Sequence, residues 1–199
     1  MGEFVVIRHG ATEWSKSGQH TGVTDLPLLP EGEEDGRRLA PVLAQRQIAH
    51  AFVSPRQRAR RTAELSGLLD GEVDTVIEPN LVEVDYGAYE GRTTKEISAE
   101  MGRRWSLWTD GTVPGDTPGE SLDEVGARVD RVLEKARPLL DDGDVAFVAH
   151  GHLLRILTAR WLGLDPAAGR LFPLATGRYG TLGHEHERPA LTGWNIGCP

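Results

Sequence analysis

The sequence predicts an α/β domain built on a mainly parallel sheet, in three layers with helices on both faces. Three observations predict it. Short continuous apolar runs, Phe4-Val5-Val6-Ile7, Ala51-Phe52-Val53 and Val145-Ala146-Phe147-Val148-Ala149, read as strands buried on both faces. Between them lie segments of about ten residues or more with helical periodicity, the alternation that a parallel sheet requires. Each run stops at polar residues: Arg8-His9-Gly10, Ser54-Pro55-Arg56-Gln57-Arg58 and His150-Gly151-His152. In such folds ligands bind beyond the carboxyl ends of the strands, so these three stops are expected to face one site.

The elements follow in order. After the first strand, Thr24 to Gly32 is a proline-rich loop. About Glu31 to Arg46 reads as a helix with Leu39, Val42 and Leu43 on one face. The Ala51–Val53 strand is followed by a helix over about Arg56 to Leu69, ended by Asp70-Gly71. Val73 to Ile77 is a third strand. Residues 79–119 are looser, with turn signals at Tyr86-Gly87, Glu90-Gly91 and Asp110-Gly111, a short helix near Thr94–Met101, and Trp105 and Trp108. Ser121 and Glu124 form a capping box before a helix whose buried stripe is Val125, Val129, Val132, Leu133 and Ala136. The Val145–Ala149 strand leads into a helix ending near Leu162. Two further strands are expected near Tyr179–Glu185 and Ala190–Trp194. No linker divides the 199 residues, so one domain over 1–199 is expected, with a helical and loop cover at about 88–120.

Composition removes several classes of function. Thirty acids against 22 bases give a net charge of −8, which disfavours nucleic acid and anionic membranes as partners. The single cysteine, Cys198, excludes a disulfide framework. No apolar run of about 18 residues suggests a membrane span, and the N-terminus lacks the pattern of a secretory signal, so a cytoplasmic location is expected. An acidic protein that binds an anion must gather its bases at one place, and the strand ends do so. His9 and His150 are candidate nucleophile, acid or metal ligand. Arg8 and one or more of Arg56, Arg58, Arg60 and Arg61 add fixed positive charge. Phosphoryl transfer spreads negative charge over three oxygens and needs several fixed donors. A neutral, oriented imidazole is a competent nucleophile at phosphorus.

The residues then carry a family resemblance. Val6-Ile7-Arg8-His9-Gly10-Ala11-Thr12-Glu13-Trp14 resembles the signature of the histidine phosphatase superfamily, in its phosphoglycerate-mutase-like branch. Thr21-Gly22, Asp25-Leu26-Pro27-Leu28, the Ser54–Ala63 segment, Glu83–Gly91, Pro118–Ser121 and Val148-Ala149-His150-Gly151 continue the match in order. The resemblance implies that His9 is the nucleophile and forms a phosphohistidine. It implies that Arg8, Arg58 and His150 hold the phosphoryl oxygens, and that Glu83 is the general acid and then the base. Ser15, Thr21, Gly22, Gly151 and His152 are implied as substrate-binding. Ser15 stands where the family often has asparagine, and His152 where the mutases carry asparagine.

The activity implied is a metal-independent, cofactor-free phosphatase acting on a small phosphorylated metabolite such as a sugar phosphate. A phosphoglycerate mutase is the alternative, and a catalytically silent phosphate-binding module is the rival from another class. The Gly91–Ser121 interval is short beside the arginine-rich insertion of the mutases; it holds Arg92, Arg103 and Arg104. A homodimer is neither required nor excluded. His184 and His186 would share a strand face, a geometry open to metal, though an exposed edge is the expected reading. Trp105 and Trp108 are expected to line the substrate mouth or to pack a lid.

Overall fold

A computed structural model describes residues 2–198. The first strand, β1 (Phe4–Arg8), is followed by a short helix α1 (Glu13–Ser17), then α2 (Pro30–Leu43), β2 (Ile48–Val53), α3 (Gln57–Leu65) and β3 (Asp74–Ile77). The chain continues through α4 (Thr94–Met101), α5 (Leu107–Asp110), α6 (Leu122–Ala136), β4 (Asp144–Ala149), α7 (Gly151–Trp161), β5 (Tyr179–Glu185) and β6 (Arg188–Ile196). The six strands form one sheet in the order β3-β2-β4-β1-β5-β6. The four strands from β3 to β1 are parallel, and β5 and β6 are antiparallel additions at the far edge.

Alternation along the strands divides the core into two layers, as period-two geometry requires. Phe4, Val6, Phe52, Val145 and Phe147 face α6 and α7, with Val125, Val129, Leu153, Leu157 and Trp161. Val5, Ile7, Ala51, Val53, Ala146 and Val148 face α2 and α3, with Leu39, Leu43, Ala59 and Ala63. The expected architecture therefore holds. The boundaries moved for local reasons. Pro30 opens α2 at a first-turn position where its missing N–H costs nothing. The same helix stops at Leu43, three residues early. Past that end, Arg46 is drawn into ion pairs with Glu3 and Asp144, both at 2.7 Å. α3 stops at Leu65, because Gly67 takes the left-handed conformation, φ 82°.

His184 and His186 do not share a strand face. The Glu185–Arg188 pair closes a two-residue turn, with His186 and Glu187 both at positive φ. His186 projects into solvent, whereas His184 packs edge-on to Trp161 at 5.0 Å. Among the described residues no helix is long and apolar enough to cross a membrane.

Candidate active site

The parallel registers bring three strand ends side by side. Arg8 pairs with Ala149, and Val53 with Val148. The ladder runs one step further, with the His9 amide donating to Ala149 O and the Ser54 amide to Val148 O, both at 3.0 Å. His9, Ser54 and His150 are thereby placed at one edge of the sheet by backbone pairing alone. The rings of His9 and His150 lie 5.2 Å apart. The cleft over His9, about 180 Å³, is lined among others by Arg8, His9, Ser15, Thr21, Glu83, Gly151, His152 and Arg155, while His150 and Arg58 are buried behind it and do not line it.

His9 is buried, and its Nδ1 lies 2.7 Å from Gly10 O. A carbonyl only accepts, so Nδ1 carries the proton and Nε2 carries the lone pair. Nε2 has no protein partner among the described residues. Burial holds this ring well below the ordinary imidazole pKa, and the Arg8 and Arg58 charges push it the same way. His9 is thus neutral, tautomerically fixed and open at one nitrogen.

His150 is fully buried, and both ring nitrogens are engaged. Arg58 Nε donates to Nδ1 at 3.2 Å, and Nε2 lies 2.7 Å from Ser54 Oγ. Since an arginine only donates, Nε2 bears the proton. Burial, and then Arg58, lower its pKa well below the usual value. Arg58 is fixed further by Thr24 O at 2.9 Å and Thr21 O at 3.1 Å. Helical phase separates the arginine run. Arg58 shares the inward face of α3 with Thr62, while Arg60 faces solvent and Arg61 pairs with Glu33 at 2.9 Å.

Arg8 donates through Nη1 to Leu174 O at 2.6 Å, and its buried Nε has no protein partner. Its guanidinium lies against Gly151. A Cβ there would sit 3.0 Å from Arg8 Cζ, which is why glycine follows His150. Glu83 enters from the loop after the Pro79–Leu81 turn. Its carboxylate accepts from the amides of Val84 at 3.0 Å, His152 at 3.0 Å and Leu153 at 2.9 Å, which places it on the N-terminus of α7.

The remaining expected residues are less uniform. Thr21 lines the cleft and lends its carbonyl to Arg58. Ser15 lines the cleft, but its hydroxyl closes the cap of α1 with Thr12, accepting from Thr12 N at 2.8 Å and donating to Thr12 O at 2.9 Å. Gly22 lies outside the cleft lining. Its amide donates to Glu90, and a side chain there would strike Val84 O at 2.2 Å, so packing accounts for the glycine. His152 Nδ1 is 2.5 Å from Tyr86 Oη, and burial holds its pKa well below the usual value. Burial also pulls His20, stacked on Tyr86 at 4.8 Å, down to about 4.

Three contributors were not singled out from the sequence. Ser54 orients His150. Arg155 lines the cleft from α7. Arg128 is buried, donating to Asn80 O, Val82 O and Glu83 O and pairing with Glu120 at 2.8 Å, so it ties the Glu83 loop to α6. Arg128 sits between Val125 and Val129 in a stripe of inward positions, and that phase was the signal available.

Comparison with known proteins identifies a family and a fold. The family described as histidine phosphatase superfamily (branch 1) matches residues 4–197. The chain is 37% identical to an acid phosphatase of Mycobacterium tuberculosis, over 92% of this chain and 86% of that one. It is 38% identical to a sedoheptulose 1,7-bisphosphatase of Saccharomyces cerevisiae, over 80% of this chain and 67% of that one. Relatives named probable phosphoglycerate mutases also match, one of Serratia proteamaculans at 30% over 96% of this chain and 89% of that one. A solved structure of an open reading frame of Mycobacterium tuberculosis superposes with a TM-score of 0.88, at 34% identity and 98% coverage of both chains.

Proposed function

The chain belongs to the histidine phosphatase superfamily, branch 1, and from that premise we propose that it hydrolyses small phosphomonoesters through a phosphohistidine on His9. The observation that supports this most is the state of His9. An imidazole held neutral, with Nδ1 tied to Gly10 O and Nε2 free in an arginine-lined cleft, is prepared to attack and to do little else.

In the first step the Nε2 lone pair forms a bond to phosphorus as the ester P–O bond breaks, and Glu83 gives its proton to the leaving oxygen. Arg8 and Arg58 offset the charge on the equatorial oxygens. His150 holds Arg58 by its Nε. In the second step water attacks phosphorus and gives a proton to Glu83, the P–N bond breaks, and phosphate leaves with Nε2 restored. Arg8 and Arg58 supply the fixed positive charge these steps need, and the proposed reaction uses no metal. No residue of the 88–120 segment lines the cleft itself; Thr94 and residues 104–108 line the space that adjoins it.

The test is a panel of phosphomonoesters assayed in excess chelator, followed by trapping with labelled substrate. Turnover should persist with chelator. Brief incubation should leave acid-labile, base-stable label on wild type and none on His9→Ala. Label retained on His9→Ala would overturn the assignment.

A further inference from the structure

Glu83 lies outside every helix and strand, so no regular pairing fixes its backbone. An acid that must meet a leaving oxygen within hydrogen-bond reach needs that backbone held. One side chain holds the peptides on both sides of it. Arg128 Nη1 donates to Val82 O at 2.7 Å, and Nη2 to Glu83 O at 3.2 Å. These carbonyls belong to the peptide planes before and after the Glu83 Cα, so the two bonds restrain its φ and ψ together. The second plane is engaged at both ends. Its oxygen accepts from Arg128, and its nitrogen, Val84 N, donates to Glu83 Oε1 at 3.0 Å.

The remaining N–H groups of the guanidinium go to neighbours of the same loop. Nη1 donates also to Asn80 O at 2.6 Å, and Nε and Nη2 donate to Glu120 Oε1 and Oε2 at 2.8 and 3.0 Å. Five donors thus meet five acceptors, the full capacity of an arginine. Glu120, the last residue of the 88–120 segment, is tied to the loop a second time. Its amide donates to Asp85 O at 2.9 Å, and its Oε2 accepts from Asp85 N at 3.2 Å. The bidentate carboxylate balances the arginine charge where it stands, so what Arg128 passes to Glu83 is geometry. Burying a charge at this point of the α6 stripe, between Val125 and Val129, carries a desolvation cost that an apolar side chain would avoid. A flat fork of donors for the loop carbonyls accounts for it.

We propose that Arg128 is a positioning residue for the acid step: by fixing the two peptides around Glu83, it sets where the Glu83 carboxyl meets the leaving oxygen. This role rests on the phosphatase reading, in which Glu83 is the acid. Arg128 does not line the cleft, so its loss should be felt in proton transfer and not in the binding of phosphate.

The experiment uses Arg128→Lys in the full chain. Lysine keeps the charge, but its three donors sit on one atom and cannot hold both flanking carbonyls and Glu120 at once. The quantity read is kcat/KM, which reports phosphorylation of His9 and excludes the water step. For an alkyl phosphate it should fall about tenfold or more, a share of the 10²–10⁴-fold that a general acid typically supplies. For p-nitrophenyl phosphate, whose leaving group needs no proton, the fall should be at most about threefold. Inhibition by inorganic phosphate should stay within about twofold of wild type. In a Glu83→Gln background the same change should cost the alkyl phosphate less than about twofold, because the group it positions is gone. Equal losses on the two substrates, a matching loss of phosphate affinity, or an undiminished loss in the Glu83→Gln background would reduce Arg128 to a structural part and overturn the proposal. Should Arg128→Lys fail to fold, Glu120→Gln, which turns an N–H₂ toward an arginine donor, is read by the same measurements against the same pattern. A wild type that hydrolyses neither substrate would sink the phosphatase reading and this role with it. Wild-type turnover beside an unselective loss would sink this role alone.

Discussion

The Glu83 carboxylate accepts the main-chain amide of His152 at 3.0 Å, and that hydrogen bond joins the candidate acid to the strand end that carries His150. The α7 N-terminus is thereby used twice. His150 precedes it and orients Arg58, while its first free amides hold Glu83. The two carboxylate oxygens are fixed by the fold, independently of any ligand.

Glu83→Gln tests the acid role. The substitution leaves one acceptor oxygen and turns an N–H₂ toward an amide that had been satisfied, at a cost of about 1–3 kcal/mol. The melting temperature should fall by a few degrees. Hydrolysis of an alkyl phosphate should fall much further than that of p-nitrophenyl phosphate, whose leaving group needs no proton. General-acid help is typically about 10²–10⁴-fold, so the two substrates should diverge by much of that range. Equal losses would place Glu83 elsewhere in the reaction, for instance only at the water step.

Gly151→Ala separates positioning from stability. The new Cβ would crowd Arg8 Cζ at 3.0 Å and Nε at 3.1 Å, so the guanidinium must shift. Alanine in the first turn of α7 is a better helix former than glycine, so the protein should melt at the same temperature or higher. Displacing one charge-assisted donor is expected to lower kcat/KM by about 10–100-fold. A variant as active as wild type would show that Arg8 does not hold the phosphoryl group.

The histidines set the dependence on pH. Burial holds the pKa values of His9, His150 and His152 well below 6.5. An ordinary imidazole would be about 97% protonated at pH 5. Because His9 resists protonation, kcat/KM corrected for substrate ionisation should stay well above the roughly 3% that an ordinary imidazole would leave at pH 5. Stability moves the other way. As pH falls below about 6.5 the unfolded chain binds protons that these rings refuse, so stability is lost, at roughly 1 kcal/mol per pH unit for each ring. Melting curves from pH 7.5 to 5 check the sign. An acid limb of kcat/KM centred at 6.5 would show that His9 is not the desolvated nucleophile.

The strand ends were legible because an apolar run that stops at histidine or arginine leaves little choice of where those side chains emerge. The capping box of α6 was legible because Ser121 and Glu124 satisfy each other within one turn. Helix α1 was not, since five residues show no periodicity and its cap pairs Thr12 with a serine in place of glutamate. Arg128 was hidden for another reason. A charge in an amphipathic helix reads as solvated unless something buried needs its donors, and the carbonyls of Asn80, Val82 and Glu83 are supplied by a loop 45 or more residues away. The split between Arg103 and Arg104 likewise depends on Asp110, which becomes a partner only once α5 has turned.

That split bears on the last prediction, that phosphate release outruns isomer formation. A mutase must keep water from the phosphohistidine while its intermediate reorients, which calls for a closed and well-covered pocket. The segment available for such a cover runs only from Gly91 to Ser121, and two of its three arginines are occupied: Arg92 by Glu100 and Arg103 by Asp110. Arg104 alone is left to grip a substrate from this segment, and it faces a basin open to solvent. Water at roughly 55 M then competes with an acceptor at millimolar concentration, a ratio above about 10⁴ that only exclusion can reverse. Supplying 3-phosphoglycerate with catalytic 2,3-bisphosphoglycerate and following both products decides the matter. Free phosphate should accumulate at least about tenfold faster than 2-phosphoglycerate. The reverse order would mean that a rearrangement of the 88–120 segment closes the cleft, and that the chain returns its phosphoryl group to the substrate in preference to water.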